Sequence, residues 1–125
     1  MAKKRILLVD DEKSLTTLLK LNLEETGNYE VRVENWPEDA LGAAREFKPD
    51  LVLLDIIMPR MPGGNVAAQF DADPQLKGTP IVFLTAAVRR SQVEDNDGII
   101  CEHPGLAKPA TVEEVIAMIE KHARK

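Results

Sequence analysis

Short β-prone runs alternating with longer segments of helical periodicity constrain this chain more than any other feature. Residues 6–9, 51–54 and 81–84 are continuous apolar runs, each stopped by a polar residue: Asp10, Asp55 and Thr85 in turn. A strand that is apolar at every position is covered on both faces, the pattern of a parallel sheet flanked by helices. Residues 29–33 mix polar and β-prone types, which predicts a strand nearer an edge. From Ser14, the apolar positions Leu15, Leu18, Leu19 and Leu23 fall at helical spacing, and Gly27 suits the stop. Pro37 opens a second helix backed by Ala40, Leu41, Ala44 and Phe47. Val66, Ala67 and Phe70 mark a third after Gly63 and Gly64, ending near Pro74. Val112, Val115, Ile116 and Ile119 form the stripe of a last helix, with Thr111 as N-cap and Glu114 as its capping-box partner.

The stretch between Thr85 and Lys108 is less regular. Residues 89–96 are polar and fit either a short helix or a loop, and residues 99–101 fit a helix end or a strand. The predicted fold class is α/β, a flavodoxin-like (βα)5 doubly wound sandwich. Its five parallel strands take the order 2-1-3-4-5, and the helix before the last strand is irregular or shortened.

A length of 125 residues suits a single domain, and a 44% apolar fraction suffices for one core. The net charge of −5 and sequence pI near 5.1 argue against nucleic-acid binding. Lys3, Lys4, Arg5, Arg124 and Lys125 read as solvated ends. No apolar run approaches the roughly 20 residues of a membrane span, and the run at residues 6–9 is too short for a signal peptide. Cys101 is the only cysteine, so no intrachain disulfide forms and a reducing, cytoplasmic setting fits.

In an open parallel sheet, ligands bind outside the carboxyl ends of the strands. The residues expected there are Asp10 and Asp11 after the first strand, Asp55 after the third, Thr85 after the fourth and Lys108 after the fifth. Each alone has an ordinary explanation: helix capping for the acidic run, turn formation for Asp55, a backbone-bonded Thr85, a solvated Lys108. Their occurrence together at one end of successive strands argues for a pocket. Clustered carboxylates repel one another unless a cation compensates, and carboxylate oxygens suit Mg²⁺. Asp55 is then the natural nucleophile toward a phosphorus atom, with Lys108 and the Thr85 hydroxyl placed to receive phosphoryl oxygens.

The segments 7–12, 50–59 (with Met58-Pro59 and the later Gly63), 80–86 and 106–109 together resemble the receiver domain of two-component response regulators over the whole chain. The resemblance implies that Asp10, Asp11, Asp55 and the backbone carbonyl of Ile57 hold Mg²⁺, and that Asp55 is phosphorylated. It implies that Thr85 and Lys108 bind the phosphoryl oxygens. It also places the last strand at residues 104–107, before Lys108-Pro109. The implied partners are a sensor histidine kinase or a histidine phosphotransfer protein, and a homodimer is compatible with the family. No membrane or direct nucleic-acid partner is expected, and the chain is expected to be one receiver domain over 1–125 with no output domain. It is expected to catalyse only its own phosphorylation and slow dephosphorylation.

The modulating positions Gly105, Ala86 and Ala87, together with Ile57, depart from or refine the family pattern. Gly105 stands where the family usually carries an aromatic that follows the threonine on activation, which puts that coupling in doubt. His103 is a candidate to replace it, displaced by roughly 7 Å along a strand; the plainer reading is a surface-loop histidine. Ala86 is small and leaves the acceptor accessible. Ile57 and Ala87 are apolar where relatives often carry polar groups that orient water, which predicts slow self-dephosphorylation. Residues 95–98 suggest a turn, and residues 88–103 are expected to exchange amide hydrogens faster than the rest.

Two other classes compete. A flavodoxin-like nucleotide- or flavin-binding protein needs a phosphate loop after the first strand, and Asp10-Asp11-Glu12-Lys13 repels phosphate without a metal. A degenerate receiver acting only as an interaction module is disfavoured by the intact Asp55, Thr85 and Lys108.

Overall fold

The computed structural model describes residues 3–56, 58, 61, 63–85, 99–100, 103–108 and 110–123. Its elements run β1 (Lys4–Val9), α1 (Lys13–Glu25), β2 (Tyr29–Glu34), a 3₁₀ turn (Pro37–Asp39) leading into α2 (Ala40–Phe47), and β3 (Leu51–Leu54). They continue with α3 (Gly63–Ala72), β4 (Ile81–Thr85), β5 (Ile99–Ile100), β6 (His103–Ala107) and α4 (Val112–His122). Strand order across the sheet is β2-β1-β3-β4-β6-β5. The pairs β1–β2, β1–β3, β3–β4 and β4–β6 are parallel, so the expected five-stranded parallel order is present with β6 as its fifth strand. That strand begins one residue earlier than expected, at His103. At residues 99–100 the strand alternative holds: β5 pairs antiparallel with the start of β6 and adds a short edge beyond the parallel sheet. The irregular helix expected after β4 falls outside the described residues.

Period-two alternation divides the core between the two faces of the sheet. Leu7, Val9, Val52, Leu54, Ile81 and Phe83 point toward α2 and α3, where Ala44, Val66 and Phe70 meet them. Ile6, Leu8, Leu51, Leu53, Val82 and Leu84 point toward α1 and α4, packing on Leu19, Leu23, Val115 and Ile119. Because both faces are covered, β1, β3 and β4 are apolar at nearly every position. β2 lies at the edge, as its mixed composition predicts.

Helix ends follow their local chemistry. Gly27 takes φ +80° just past α1, where its N–H reaches the Glu24 carbonyl at 3.1 Å. Thr111 and Glu114 form the expected capping box on α4. One helical position differs from the sequence reading: Leu18 is 57% exposed. The buried stripe of α1 runs through Thr16, Leu19 and Leu23, and Leu18 is rotated about 100° from Leu19. Among the described residues, no helix is long and apolar enough to cross a membrane.

Candidate functional site

At the carboxyl end of the sheet, β1 and β3 are hydrogen-bonded neighbours, so whatever follows them meets at one point. Asp10 follows Val9 directly. Its N–H donates to the Glu34 carbonyl at 3.2 Å, and its Oδ1 accepts the Glu12 N–H at 3.0 Å. Asp55 follows Leu54, with its N–H donating to the Val9 carbonyl at 3.0 Å. Asp10 is 1% and Asp55 5% exposed, while Asp11 is half-buried. Ligand oxygens of Asp10, Asp11 and Asp55 all lie within 4.8 Å of one another. Two unit charges at that distance repel by roughly 3 kcal/mol at an effective dielectric constant of 20, so a nearby positive charge stabilises the cluster.

Lys108, just past β6, supplies one positive charge. Its Nζ lies 2.7 Å from Asp10 Oδ2, 2.9 Å from Glu12 Oε1 and 3.5 Å from Asp55 Oδ2. Burial alone would lower its pKa. Hydrogen bonds to Asp10 and Glu12, with the charges of Asp10 and Asp55, outweigh that and hold the ammonium above the usual lysine value. Among the described residues, Lys108 is the cation in contact with the clustered carboxylates and Glu12. A hard divalent cation fits this oxygen-rich donor set.

Thr85 ends β4, where its backbone pairs with Ala107 of β6, directly before Lys108. Gly105 is buried in β6 opposite Phe83. Ile57, Ala86 and Ala87, like most of residues 88–103, lie outside the described residues. His103 is not the surface-loop residue of the plainer reading. It opens β6, its ring meets Phe83 edge-on at a centroid distance of 5.9 Å, and Nε2 lies 3.3 Å from Asp71 Oδ2 on α3. Strand pairing draws it inward, because β6 begins one residue before the span that the resemblance implies.

Sequence reasoning missed three contributors. Glu12, in the sequence one member of an acidic run, is a direct partner of Lys108. Asn35 donates through Nδ2 to the Asp10 carbonyl at 2.8 Å, a contact across 25 residues that no local pattern signals. Gly63 packs so closely on the acceptor loop that a Cβ there would lie 2.0 Å from the Asp55 carbonyl oxygen. Its motif position was visible; that contact was not.

The family model described as "Response regulator receiver domain" matches residues 6–120. The chain belongs to the response regulator receiver domain family, the phosphoryl-accepting switch modules of two-component signal transduction. It is 36% identical over 98% of its length to the alkaline phosphatase synthesis transcriptional regulatory protein PhoP of Bacillus subtilis, covering 49% of that protein. It is 35% identical over 98% of its length to the DNA-binding response regulator MtrA of Mycobacterium tuberculosis, covering 52% of it. The chain thus spans about half the length of these curated relatives. Among solved structures, Vibrio cholerae chemotaxis protein CheY4 superposes with a TM-score of 0.81 at 26% identity, covering 96% of this chain and 98% of that one. A putative response regulator from Chloroflexus aurantiacus gives 0.80 at 28%, covering 96% and 97%. Relatives named as DNA-binding regulators remove support from the expectation of no nucleic-acid partner, which rested on the charge of these 125 residues alone.

Proposed function

We propose that Asp55 accepts a phosphoryl group from a phosphohistidine on a sensor kinase or phosphotransfer protein. The observation that carries this reading is the convergence of Asp10, Asp11 and Asp55 with Lys108 at the end of the sheet. Asp55 is buried at the base of the cluster and carries its carboxylate one residue beyond the rigid strand β3. One Asp55 oxygen attacks phosphorus, the P–N bond to the imidazole breaks, and the departing nitrogen keeps the electron pair and takes a proton from water. Asp10, Asp11, Asp55 and the Ile57 carbonyl would hold Mg²⁺, which when bound neutralises part of the phosphoryl charge. Lys108, 3.5 Å from Asp55 in the resting protein, moves from Asp10 and Glu12 toward the new phosphoryl oxygens. Thr85 donates to another of them. The product is a mixed anhydride on Asp55, and its presence biases the domain between two surface states.

The same reading makes the chain one receiver unit that acts in the cytoplasm and catalyses only its own phosphorylation and decay. Apolar Ile57 and Ala87 leave attacking water without a polar guide, so decay is slow. Small Ala86 keeps the acceptor open, and Gly105 leaves the signal without the usual aromatic.

Labelled acetyl phosphate tests the acceptor reading. Wild-type protein should take up label in Mg²⁺ and little in EDTA, and hydroxylamine should release it. Asp55→Asn should take up none; equal labelling of Asp55→Asn would overturn the assignment.

A further inference from the structure

The loop after β1 carries two of the three clustered carboxylates, and a pair of side chains outside the cluster fastens that loop at both ends. Asn35, half-buried just beyond β2, donates through Nδ2 to the Asp10 carbonyl at 2.8 Å and to Thr16 Oγ1 at 3.1 Å. The amide nitrogen has two hydrogens, so both bonds form at once. Thr16, 1% exposed, donates its hydroxyl hydrogen to the Lys13 carbonyl at 3.1 Å, and its backbone N–H reaches the Glu12 carbonyl at 3.0 Å. The chain of bonds from the Asp10 carbonyl through Asn35 and Thr16 to the Lys13 carbonyl therefore brackets Asp11 and Glu12.

We propose that Asn35 and Thr16 are positioning residues that set the affinity of the carboxylate cluster for a divalent cation without touching it. The inference rests on the metal reading given above for Asp10, Asp11 and Asp55. Like charges drive the carboxylates apart, and Asp11 sits on a loop, the part of the site freest to yield. The β1–β2 ladder ends at Val9 opposite Glu34, so regular backbone pairing does not extend over that loop. The Asn35 side chain supplies one more bond at its edge, and Thr16 holds the far side. Holding repelling ligands converged before the cation arrives lowers the reorganisation that binding requires, which is how groups behind a metal's ligands raise affinity.

Calorimetric titration of the folded protein with MgCl₂ tests the strap. Wild type should bind with a measurable Kd, and Asn35→Ala should raise that Kd about tenfold. Thr16→Val should raise it severalfold, while Thr16→Ser, which keeps the hydroxyl, should restore it. At saturating Mg²⁺ the labelling rate of Asp55 should stay within about twofold of wild type in all three, because the strap acts on affinity and not on the acceptor. A merely structural role would instead lower melting temperature and labelling rate together and leave Kd in place. Wild-type Kd in both Asn35→Ala and Thr16→Val would overturn the strap alone. Absence of any saturable Mg²⁺ binding by the wild type would overturn the metal reading and the strap with it. Asn35 lies at the end of an edge strand, and the Thr16 pair carries the test independently if Asn35→Ala folds poorly.

Discussion

At Gly63 a Cβ atom would lie 2.0 Å from the carbonyl oxygen of Asp55 and 2.8 Å from Cα of Ile56, distances that only backbone movement could relieve. The Gly63 N–H donates to the Ile56 carbonyl at 2.7 Å, so the start of α3 is bonded directly to the loop that carries the acceptor. Any side chain here displaces Asp55. Gly63→Ala should cost about 2 kcal/mol of stability, read from urea unfolding. It should also slow Asp55 labelling at saturating Mg²⁺ by tenfold to a hundredfold, on the order of what a misplacement near 1 Å does. Unchanged labelling would contradict this account of the contact. Asp10, Asp11 and Asp55 were legible in the chain because they follow apolar runs, and strand ends are where a parallel sheet presents its chemistry. Lys108 was legible only through the family resemblance that places the last strand before it. Asn35 and Glu12 contribute through a contact between segments distant in sequence and through a side chain's reach, and the motif that contains Gly63 does not show the contact it makes.

Elements far from the site are tied together by a second polar network. Tyr29 on β2 donates its hydroxyl to Glu120 Oε2 of α4 at 2.6 Å, and Lys4 of β1 reaches Glu120 Oε1 at 3.0 Å. Burial first, and then the Glu120 carboxylate, push the Tyr29 phenol up to about 12. A raised phenol pKa means that the neutral form is favoured in the folded state. Its contribution is therefore complete below the unfolded value of about 10 and is lost as pH rises from there toward 12. Tyr29→Phe should lower stability at neutral pH by about 1.5 kcal/mol, the scale of a hydrogen bond to a charged group. It should also flatten the fall in stability between pH 10 and 12 in denaturant titrations. A variant that keeps the wild-type slope there would contradict the assignment. At this scale the sequence patterns marked α1 to α4 and β1 to β4 to within one helical turn at their ends, while β6 was placed by the resemblance. The exposure of Leu18 and the antiparallel β5 were not legible, because which helical stripe is buried and where an edge strand pairs are decided by tertiary contacts.

At the scale of the whole molecule, the two faces of the sheet carry separate apolar layers, and its carboxyl end gathers Asp10, Asp11, Asp55 and Glu12 around Lys108. This division was legible early: continuous apolar strands require covered faces, and covered faces leave only the strand ends for chemistry. What was not legible is the far part of β6, where Gly105 lies opposite Phe83 and His103 packs on Phe83 and pairs with Asp71. The proposed function requires that the phosphoryl group reside on Asp55 itself. Borohydride reduction of protein phosphorylated in Mg²⁺, followed by peptide mass spectrometry, reads this directly, because hydride converts an aspartyl phosphate to homoserine. Homoserine is expected at position 55, dependent on prior phosphorylation. Homoserine at Asp10 or Asp11 instead, or an unmodified position 55 in fully phosphorylated protein, would contradict it.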